Sequence, residues 1–595
     1  MENLRFILFE VFQAEKLAEN PYFAEYDKES IELMVASAKQ IADTHMFPIF
    51  QEMDQFGSNL EDGVLKVHPG LKDIIDAMGE GGWIGAQAPA EVGGMQMPSM
   101  VYMAAEFIFN AANNSAVGYS GLTAGAAKLI YSFGSQALID TYVDRMLGGQ
   151  WQGTMALTEP QAGSSLSDVI TSATPTEEGH YMIEGQKIFI SSGDHDATNN
   201  VIHLMLARID GAPAGTKGIS LFVVPKYRLD ESGQLVDNDV QTAAAIHKMG
   251  QSGYSNVQLM MGEKGNCRGY LVGEPHRGLR YMFQMMNGAR LGVGMSATGT
   301  ASGAYYASLK YAYERAQGRR LNNRDLSKPQ DLIAHHPDVR RMLFLQKAIV
   351  EGCLSLVMQC AKYSDMMKIT EGDERELNHQ LLEILIGIAK TYPSEAGNRS
   401  VSNGLQVLGG YGYVKDFPLE QYYRDMRIMA IYEGTTGIQS QDLLGRKVIL
   451  GDGQMLKKLM VEVQKTMAEA AQLSALQEHV GTFKKVLEEL GAVTQHLMGI
   501  AMKGDKEVFL SDANLYMEVF SNVVIGWQWL KQGIVAAKAL ENPADAVEDK
   551  EFYESKLHTL AFFFAYELPR NEGLIKRLMD PRIYTVLGTD KDLLR

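Results

Sequence analysis

The chain has 595 residues, of which 46% are hydrophobic and 21% are charged. These values are ordinary for soluble globular proteins, and the length predicts roughly three to five domains. With 55 Lys and Arg against 72 Asp and Glu, the net charge is −17. A surface this acidic repels nucleic acid and anionic membranes at long range, so neither is predicted as a partner.

The N-terminus and the cysteines indicate a cytoplasmic protein. The first residues carry charges throughout and lack the apolar core of a secretory signal peptide. No uninterrupted apolar run approaches the ~18 residues of a membrane span. Cys353 and Cys360 lie about two helical turns apart, which is too far for a disulfide. Together with Cys267 they are predicted to be reduced packing residues.

The chain divides by pattern into four regions, taken here in order. Residues 1–150 are predicted to form a helical N-terminal domain, because apolar residues recur at three- and four-residue spacing. Short β-rich runs separated by Gly, Asp, Asn and Pro predict a middle β domain at 151–277. Helical periodicity returns at 278–450, where long helices predict a four-helix bundle. Residues 451–595 predict an additional helical bundle. This segregated α+β order argues against a doubly wound sheet.

Two segments of the predicted β domain have the composition of a ring-binding site. In ALTEPQAGSSLSD, Ala156 to Asp168, hydroxyl and backbone donors follow a proline-fixed turn. In KIFISSG, Lys187 to Gly193, strand alternation predicts Phe189 and Ser191 on one face, and Ile188 with Ile190 on the other. Taken alone, the first segment is more typical of a structural loop and the second of a core strand.

Three segments of the predicted bundle also carry candidate chemistry. Arg315 lies in YERAQGRRL, and arginine binds phosphate by a bidentate fork. Gly409 and Gly410 in LQVLGGYGY permit close backbone approach. Glu433 in IYEGTTGIQ follows an apolar run, where desolvation makes a carboxylate a better base. Alone, these segments are also typical of a solvated helix end, a helix C-cap and a capping glutamate.

Several common catalytic signatures are missing from the sequence. It has no HExxH or CxxC, so no metal site is predicted. It also lacks a GxSxG elbow, a P-loop and a Rossmann fingerprint, which excludes a simple nicotinamide site.

The order of these segments resembles the acyl-CoA dehydrogenase family. ALTEP with AGS, KIFISSG, ER-QGR, LQVLGGYGY and RD-RI–IYEGT-GIQ follow one another at that family's spacing, and GGWIGAQAPAEVGG resembles its N-terminal signature. The extra C-terminal residues resemble a longer subgroup that includes 3-methylmercaptopropionyl-CoA and broad-range fatty acyl-CoA dehydrogenases. The resemblance implies a helical N-terminal domain, a β-barrel-like middle domain, a four-helix bundle and an FAD cofactor.

The resemblance also implies roles for individual residues. Arg315, Gln317 and the 406–410 segment are expected to reach the FAD of a partner subunit, and Thr435 to make a further FAD contact. Phe189 stands where many members have Trp, and Ser191 replaces the usual Thr. The full set of expected FAD contacts is Leu157, Thr158, Gly163, Ser164, Phe189, Ile190, Ser191, Arg315, Gln317, Gln406, Gly409, Gly410, Thr435 and Gly437.

The expected substrate is an acyl-CoA thioester, and the expected catalytic base is Glu433. Some members carry the base before an arginine of the bundle's first helix, but that position here is Ala289, which cannot accept a proton. The expected substrate contacts are Ser164, Asn287, Arg290, Tyr432 and Gly434. In the expected reaction Glu433 removes an α-proton and the β-hydrogen leaves as hydride to FAD.

The resemblance leaves the electron acceptor and the assembly open. Electrons are expected to pass to an electron-transfer flavoprotein, and the subunits to form a homo-oligomer, with a homodimer favoured. An acyl-CoA oxidase that uses O₂ is the nearest alternative. A non-catalytic DNA-associated relative is a remote one, since it would need a basic groove. Chain length of the acyl group is not predicted.

Overall fold

The structure is a computed structural model, and it describes residues 1–322 and 325–586. The α-helices in that part of the chain are α1 Glu2–Arg5, α2 Lys28–Ile41, α3 Phe50–Phe56, α4 Gly70–Glu80, α5 Ser99–Phe133, α6 Gln136–Leu138, α7 Asp144–Leu147, α8 Gly278–Glu314, α9 Pro337–Ile369, α10 Gly372–Leu408, α11 Leu419–Arg427, α12 Thr436–Asp442, α13 Leu450–Ala470, α14 Gln477–Ala501, α15 Lys506–Leu510, α16 Ala513–Glu541, α17 Lys550–Tyr566 and α18 Asn571–Leu578. The strands are β1 Asn59–Glu61, β2 Val64–Lys66, β3 Trp151–Ala156, β4 Ser172–Pro175, β5 Tyr181–Ser191, β6 Asn200–Ile209, β7 Ile219–Pro225, β8 Tyr227–Leu229, β9 Leu235–Asp237, β10 Val240–Ala245, β11 Asn256–Met261 and β12 Arg268–Leu271.

The chain forms two compact units, Leu17–Gly292 and Met1–Lys16 with the residues from Val293 onward. In the first unit the long helix α5 packs on strand β3. A Cβ added to Gly153 of β3 would lie 2.9 Å from Thr123 Cα, so glycine permits this close contact. Helix α5 is interrupted at Asn113, whose side chain caps the next turn by accepting from Ala116 N at 3.2 Å.

The middle β domain is an eight-stranded sheet that closes on itself. Its order is β10-β11-β5-β12-β7-β6-β3, and β4 pairs with both β5 and β6. These pairings close a ring of β5, β12, β7, β6 and β4, because β4 joins the two strands at the ends of that stretch. Strands β3 and β4 are parallel to β6, and the other pairs in the sheet are antiparallel. Apolar side chains such as Met205, Phe222 and Val257 fill its core.

In the second unit three long helices, α8 from Val293, α9 and α10, pack closely together. A Cβ on Gly294 of α8 would lie 2.0 Å from the Ala389 carbonyl oxygen of α10, so the two backbones nearly touch there. The sequence predicted a bundle of four such helices. Up to residue 450 the remaining described α-helices of this region are the short helices α11 and α12. These two short helices pack on α10 instead.

The first 16 residues pack with the C-terminal helices rather than with the rest of the predicted 1–150 domain. Phe6 makes an edge contact with Phe552 of α17 at 5.4 Å between ring centroids. Tyr553 OH donates to Glu10 Oε2 at 2.7 Å. The amphipathic start of the chain therefore buries its apolar face on α17. The other predicted domain boundaries stay predictions.

Helix α9 and the three cysteines are buried in the interior of the protein. Helix α9 is long and apolar enough to cross a membrane, but 89% of its most apolar window is buried inside the protein, as in a core helix. Cys267, Cys353 and Cys360 are free and buried, and burial raises the pKa of each thiol. They are unreactive packing residues, as predicted.

Candidate active site

A buried ion pair anchors the loop that contains Leu157 and Thr158. Lys187 Nζ of β5 lies 2.7 Å from Glu159 Oε1 and also donates to Leu157 O at 3.1 Å. Glu159 further accepts from Thr171 Oγ1 at 2.6 Å and from Ile170 N at 2.8 Å. The TEP motif is thus attached to β5 and to the chain at 170–171.

The electrostatics of this pair follow from its burial. Burial alone would raise the pKa of Glu159, but the ion pair with Lys187 and the hydrogen bonds from Ile170 and Thr171 hold that pKa below its ordinary value. Burial lowers the pKa of Lys187 to about 8, although Glu159 acts in the opposite direction. Both groups are charged at neutral pH and depend on each other.

A bulge in β5 projects Phe189 outward. Val257 of β11 pairs with Ile190, but Leu259 pairs with Lys187, so β5 has one extra residue between them. Phe189 takes a left-handed φ of 59° and is 61% exposed. The strict alternation that placed Ile188 and Ile190 on one face is therefore wrong, because the bulge puts Lys187 and Ile190 on the same buried side.

The hydroxyl groups beside Phe189 are available to a ligand. Ser191 Oγ accepts from Asn256 Nδ2 at 3.1 Å, which leaves its own proton free to donate. The Thr158 hydroxyl makes no hydrogen bond within the described residues. Ile188 N donates to Thr158 O at 3.0 Å, so the first two predicted segments lie side by side. Gly163 and Ser164 follow on the exposed part of the same loop.

The two predicted substrate contacts of α8 form one polar pair. Arg290 Nη1 donates to Asn287 Oδ1 at 3.3 Å, one turn earlier on the helix. Arg290 Nε is buried and lacks a partner among the described residues. This donor fits an anionic or carbonyl ligand.

The predicted base lies on a tight left-handed turn before α12. Glu433 has φ 51° and Gly434 has φ 88°, and a non-glycine residue pays roughly 1–2 kcal/mol for that conformation. Gln439 Nε2 donates to Glu433 O at 3.2 Å, and Lys390 Nζ of α10 donates to Gly434 O at 2.9 Å. Thr435 caps α12 by accepting from Ile438 N, with Gly437 in its first turn. Tyr432 and Glu433 are half-buried.

A second group of predicted residues lies at the far end of α10. Gly409 has φ 60°, and a Cβ at Gly409 or Gly410 would meet nothing within 4 Å. Arg315 is exposed and stacks over the ring of Tyr411 at 5.9 Å. Gln317 is exposed as well, and its carbonyl accepts from His336 Nε2 at 2.8 Å. Gln406 caps this end through its carbonyl, which accepts from Gly409 N.

Sequence reasoning missed four residues that hold these segments. Glu159 and Lys187 lie within the ALTEP and KIFISSG motifs, but the sequence pattern assigns them no role. Lys390 and Gln439 were not singled out. The available signal was a lysine next to apolar residues, before IFI in EGQKIFIS and after LIGIA in LIGIAKTY, since lysine is almost never fully buried unless paired.

Four family models match consecutive parts of the chain. The acyl-CoA dehydrogenase N-terminal domain matches residues 28–150, the middle domain 154–260 and the C-terminal domain 276–448. A model described as acetyl-CoA dehydrogenase C-terminal like matches residues 459–582. The 3-methylmercaptopropionyl-CoA dehydrogenase of Ruegeria pomeroyi is 36% identical over 86% of this chain and 85% of the relative.

The chain belongs to the acyl-CoA dehydrogenase family. Another relative of this acyl-CoA dehydrogenase is the broad-specificity linear acyl-CoA dehydrogenase FadE5 of Mycobacterium tuberculosis, 34% identical over 95% of the chain and 94% of the relative. The predictions of family, fold class and enzyme class are confirmed. Because the match to FadE5 covers 95% of the chain, it includes most of the additional C-terminal region.

The fold is shared with a solved acyl-CoA dehydrogenase of Bacillus anthracis complexed with FAD. That structure is 22% identical, has a TM-score of 0.73, and the match covers 93% of this chain and 89% of the other. FAD is the cofactor of this family, as predicted. Within the first unit, hydroxyl groups at Thr158 and Ser191 and the exposed aromatic ring of Phe189 suit a flat heterocycle. The residues present therefore fit FAD.

Proposed function

We propose that this acyl-CoA dehydrogenase converts an acyl-CoA thioester to its trans-2-enoyl-CoA, with Glu433 as the base. The observation that carries the proposal is the left-handed turn at Glu433, whose two carbonyls are held by Lys390 and Gln439. Strained backbone that its surroundings hold in place is typical of active sites. Glu433 is the acidic residue of the IYEGT motif, and Ala289 removes the alternative base position.

In the proposed reaction the α-carbon loses a proton to the Glu433 carboxylate as the α C–H bond breaks. The β C–H bond breaks in the same conversion, and the C=C bond forms from the electron pair left at the α-carbon. FAD supplies the acceptor for the β-hydrogen and its electron pair. A thioester α-proton is a weak acid, so the carbonyl oxygen needs donors, and the Glu433 N–H is the proposed one. Such a donor contributes about 3–4 kcal/mol in other enzymes.

The FAD contacts are proposed to come from two subunits. Lys390, beside the base turn, and Gln406 lie on the same helix α10, about 24 Å apart at 1.5 Å per residue. This distance supports separate contact regions: Thr435 and Gly437 near the base for one FAD, and Arg315, Gln317, Gln406, Gly409 and Gly410 for the FAD of a second copy. The proposal requires at least two copies of the chain, and a homodimer is the proposed assembly.

The CoA arm is proposed to contact Asn287, Arg290 and Ser164, with Tyr432 and Gly434 beside the thioester. The unpartnered Arg290 Nε supports an interaction with a phosphate or carbonyl oxygen. The relatives named above act on a methylthio-propionyl thioester and on linear acyl thioesters, and these two classes are the proposed substrates to test first.

The decisive experiment compares Glu433→Gln with Glu395→Gln. Glu395 is a nearby carboxylate on α10 that accepts a hydrogen bond from Thr436, and it serves as the matched control. In anaerobic stopped flow with short, medium, long, branched and methylthio acyl-CoAs, Glu433→Gln is expected to keep FAD and to slow flavin bleaching by about 10²–10⁴-fold. The control is expected to bleach at the parental rate. Near-normal bleaching in Glu433→Gln would move the base elsewhere.

The proposed electron acceptor is an electron-transfer flavoprotein, and the proposed compartment is the cytoplasm. An oxygen electrode separates this proposal from the oxidase alternative. The dehydrogenase is expected to form little peroxide with acyl-CoA and O₂ alone and to turn over when electron-transfer flavoprotein is added. Rapid peroxide formation without it would identify an oxidase.

A further inference from the structure

Two buried side chains hold the backbone of the turn that carries the proposed base. Lys390 lies in the middle of α10 and is fully buried, and Gln439 lies in α12 with 1% exposure. Lys390 Nζ donates to the Gly434 carbonyl, and Gln439 Nε2 donates to the Glu433 carbonyl. We propose that Lys390 and Gln439 are positioning residues that fix the Glu433–Gly434 turn for proton abstraction. The inference rests on the proposed function of Glu433.

The conformation of the turn is one that an isolated chain rarely adopts. Glu433 has a Cβ and nevertheless takes φ 51°, and Gly434 follows at φ 88°. Such a pair persists only where surrounding groups stabilise it more than the alternatives. The two hydrogen bonds act on consecutive carbonyls, so they fix the orientation of two successive peptide planes. The two planes flank Gly434, so the hydrogen bonds fix its φ and ψ, and the first plane adjoins the Cα of Glu433 from which the side chain leaves the backbone.

The orientation of the carbonyls also determines where the amide groups point. In a trans peptide the N–H and C=O lie on opposite sides of the chain. Because Gln439 binds the Glu433 carbonyl, the Gly434 N–H points away from Gln439. Because Lys390 binds the Gly434 carbonyl, the Thr435 N–H points away from Lys390. The two carbonyls of the turn are therefore bound by Gln439 and Lys390, while the N–H groups of Gly434 and Thr435 point away from these side chains.

Two glycines, Gly434 and Gly387, leave room for the side-chain amide of Gln439 to reach the turn. A Cβ on Gly434 would lie 2.5 Å from Gln439 Nε2, so only glycine lets the amide reach the turn. A Cβ on Gly387 of α10 would lie 3.3 Å from Gln439 Oε1, so glycine also makes room for the amide on its other side. A buried ammonium is costly compared with an apolar side chain of similar length. The hydrogen bond from Lys390 to the Gly434 carbonyl gives this buried ammonium a specific partner on the base turn.

The test uses the FAD-loaded enzyme and replaces each donor by an apolar residue of similar size. Lys390→Met is expected to slow anaerobic flavin reduction by saturating acyl-CoA about 100-fold, the loss that a small misplacement of a catalytic group produces. Gln439→Leu, which removes a neutral donor, is expected to slow it about 10-fold. FAD content and the Kd of enoyl-CoA product are expected to change by less than about 3-fold in either variant, because neither side chain is proposed to bind ligand. Lys390→Arg keeps a cationic donor and is expected to be faster than Lys390→Met.

A second buried lysine provides the matched control. Lys447 is also almost fully buried and donates to a backbone carbonyl, that of Glu383. Lys447→Met is expected to lower thermal stability without changing the rate of flavin reduction. Equal slowing in Lys447→Met and Lys390→Met would assign the effect to general destabilisation and would overturn the proposal.

The outcomes separate this inference from the function on which it rests. If Glu433→Gln reduces flavin at the parental rate, both the role of Glu433 as base and the positioning role of Lys390 and Gln439 are wrong. If Glu433→Gln is inactive while Lys390→Met and Gln439→Leu both keep the parental rate, only the positioning role falls. If Lys390→Met does not fold, Gln439→Leu decides: a slower rate with unchanged product Kd supports the proposal, and a parental rate overturns it.

Discussion

The buried pair Glu159–Lys187 provides a quantitative test of how the TEP loop is held. Lys187→Met leaves the Glu159 carboxylate in the interior with its hydrogen-bond donors from Ile170, Thr171 and Gln161 but without a counter-charge. Removal of one partner from a buried ion pair costs about 3–5 kcal/mol. Because these donors remain, we expect the lower end, about 3 kcal/mol at neutral pH.

Glu159→Gln should destabilise the loop less than Lys187→Met does, because the remaining partner, Lys187, can lose its charge. Burial already lowers the pKa of Lys187 to about 8, so without Glu159 the amine loses its proton near neutral pH instead of remaining charged. We expect about 2 kcal/mol, the value of the lost charge-assisted hydrogen bonds. The double variant should cost about 3 kcal/mol, which leaves a coupling energy of about 2 kcal/mol between the two positions.

The assay must report on this loop, since a multidomain chain does not unfold in one step. Hydrogen exchange of peptides that cover residues 156–172 gives the free energy of local opening for each variant. The exposed pair Lys72–Asp76 is the control, and Lys72→Met should change the opening free energy there by less than about 1 kcal/mol. Single-variant costs that add within about 0.5 kcal/mol would show that the ion pair does not act as a unit and would refute the reasoning.

Two further predictions concern stability at acidic pH and FAD retention. His203 is fully buried, its ring nitrogens have no partner among the described residues, and burial lowers its pKa to about 3. The unfolded state binds a proton at His203 below about pH 6.5, whereas the folded state does not. The free energy of unfolding therefore falls as the pH drops, and His203 accounts for a loss of about 2 kcal/mol between pH 7 and pH 5. Denaturation of the β domain at both pH values should show that His203→Leu loses less stability on acidification; an unchanged pH dependence would contradict this. Arg315→Ala should release FAD on gel filtration, because an exposed arginine beside open glycine backbone suits a phosphate. Arg319→Ala is the control, since Arg319 donates to the carbonyls of Leu326 and Lys328, and full FAD occupancy in Arg315→Ala would count against its proposed contact.

Periodicity and the order of motifs sufficed for the family, the fold class and the cofactor. Alternation and turn residues marked the β domain, and three- and four-residue spacing marked the long helices, because these patterns depend on burial along a single element. The specific roles of Glu433 and of the FAD and substrate contacts stay predictions.

Sequence patterns gave wrong predictions where the conformation or position of one element depends on its contact with another element. The bulge at Phe189 arises from the register of β5 against β11, and strand alternation alone cannot detect an inserted residue. The first 16 residues pack on α17, far away in the sequence, so a boundary read along the chain could not separate them from the rest of 1–150.

The amino-acid sequence by itself determined that this protein is an acyl-CoA dehydrogenase with four regions of different hydrophobic periodicity. It could do so because motifs and periodicities are local properties of the chain. Only the tertiary structure decided which buried polar groups hold those motifs. The apolar neighbours of Lys187 and Lys390 indicate burial but not the partners, which lie on segments distant in sequence, at Glu159 and at Gly434. A buried charge must be paired, and the identity of its partner depends on how the chain folds rather than on what lies beside it in the sequence.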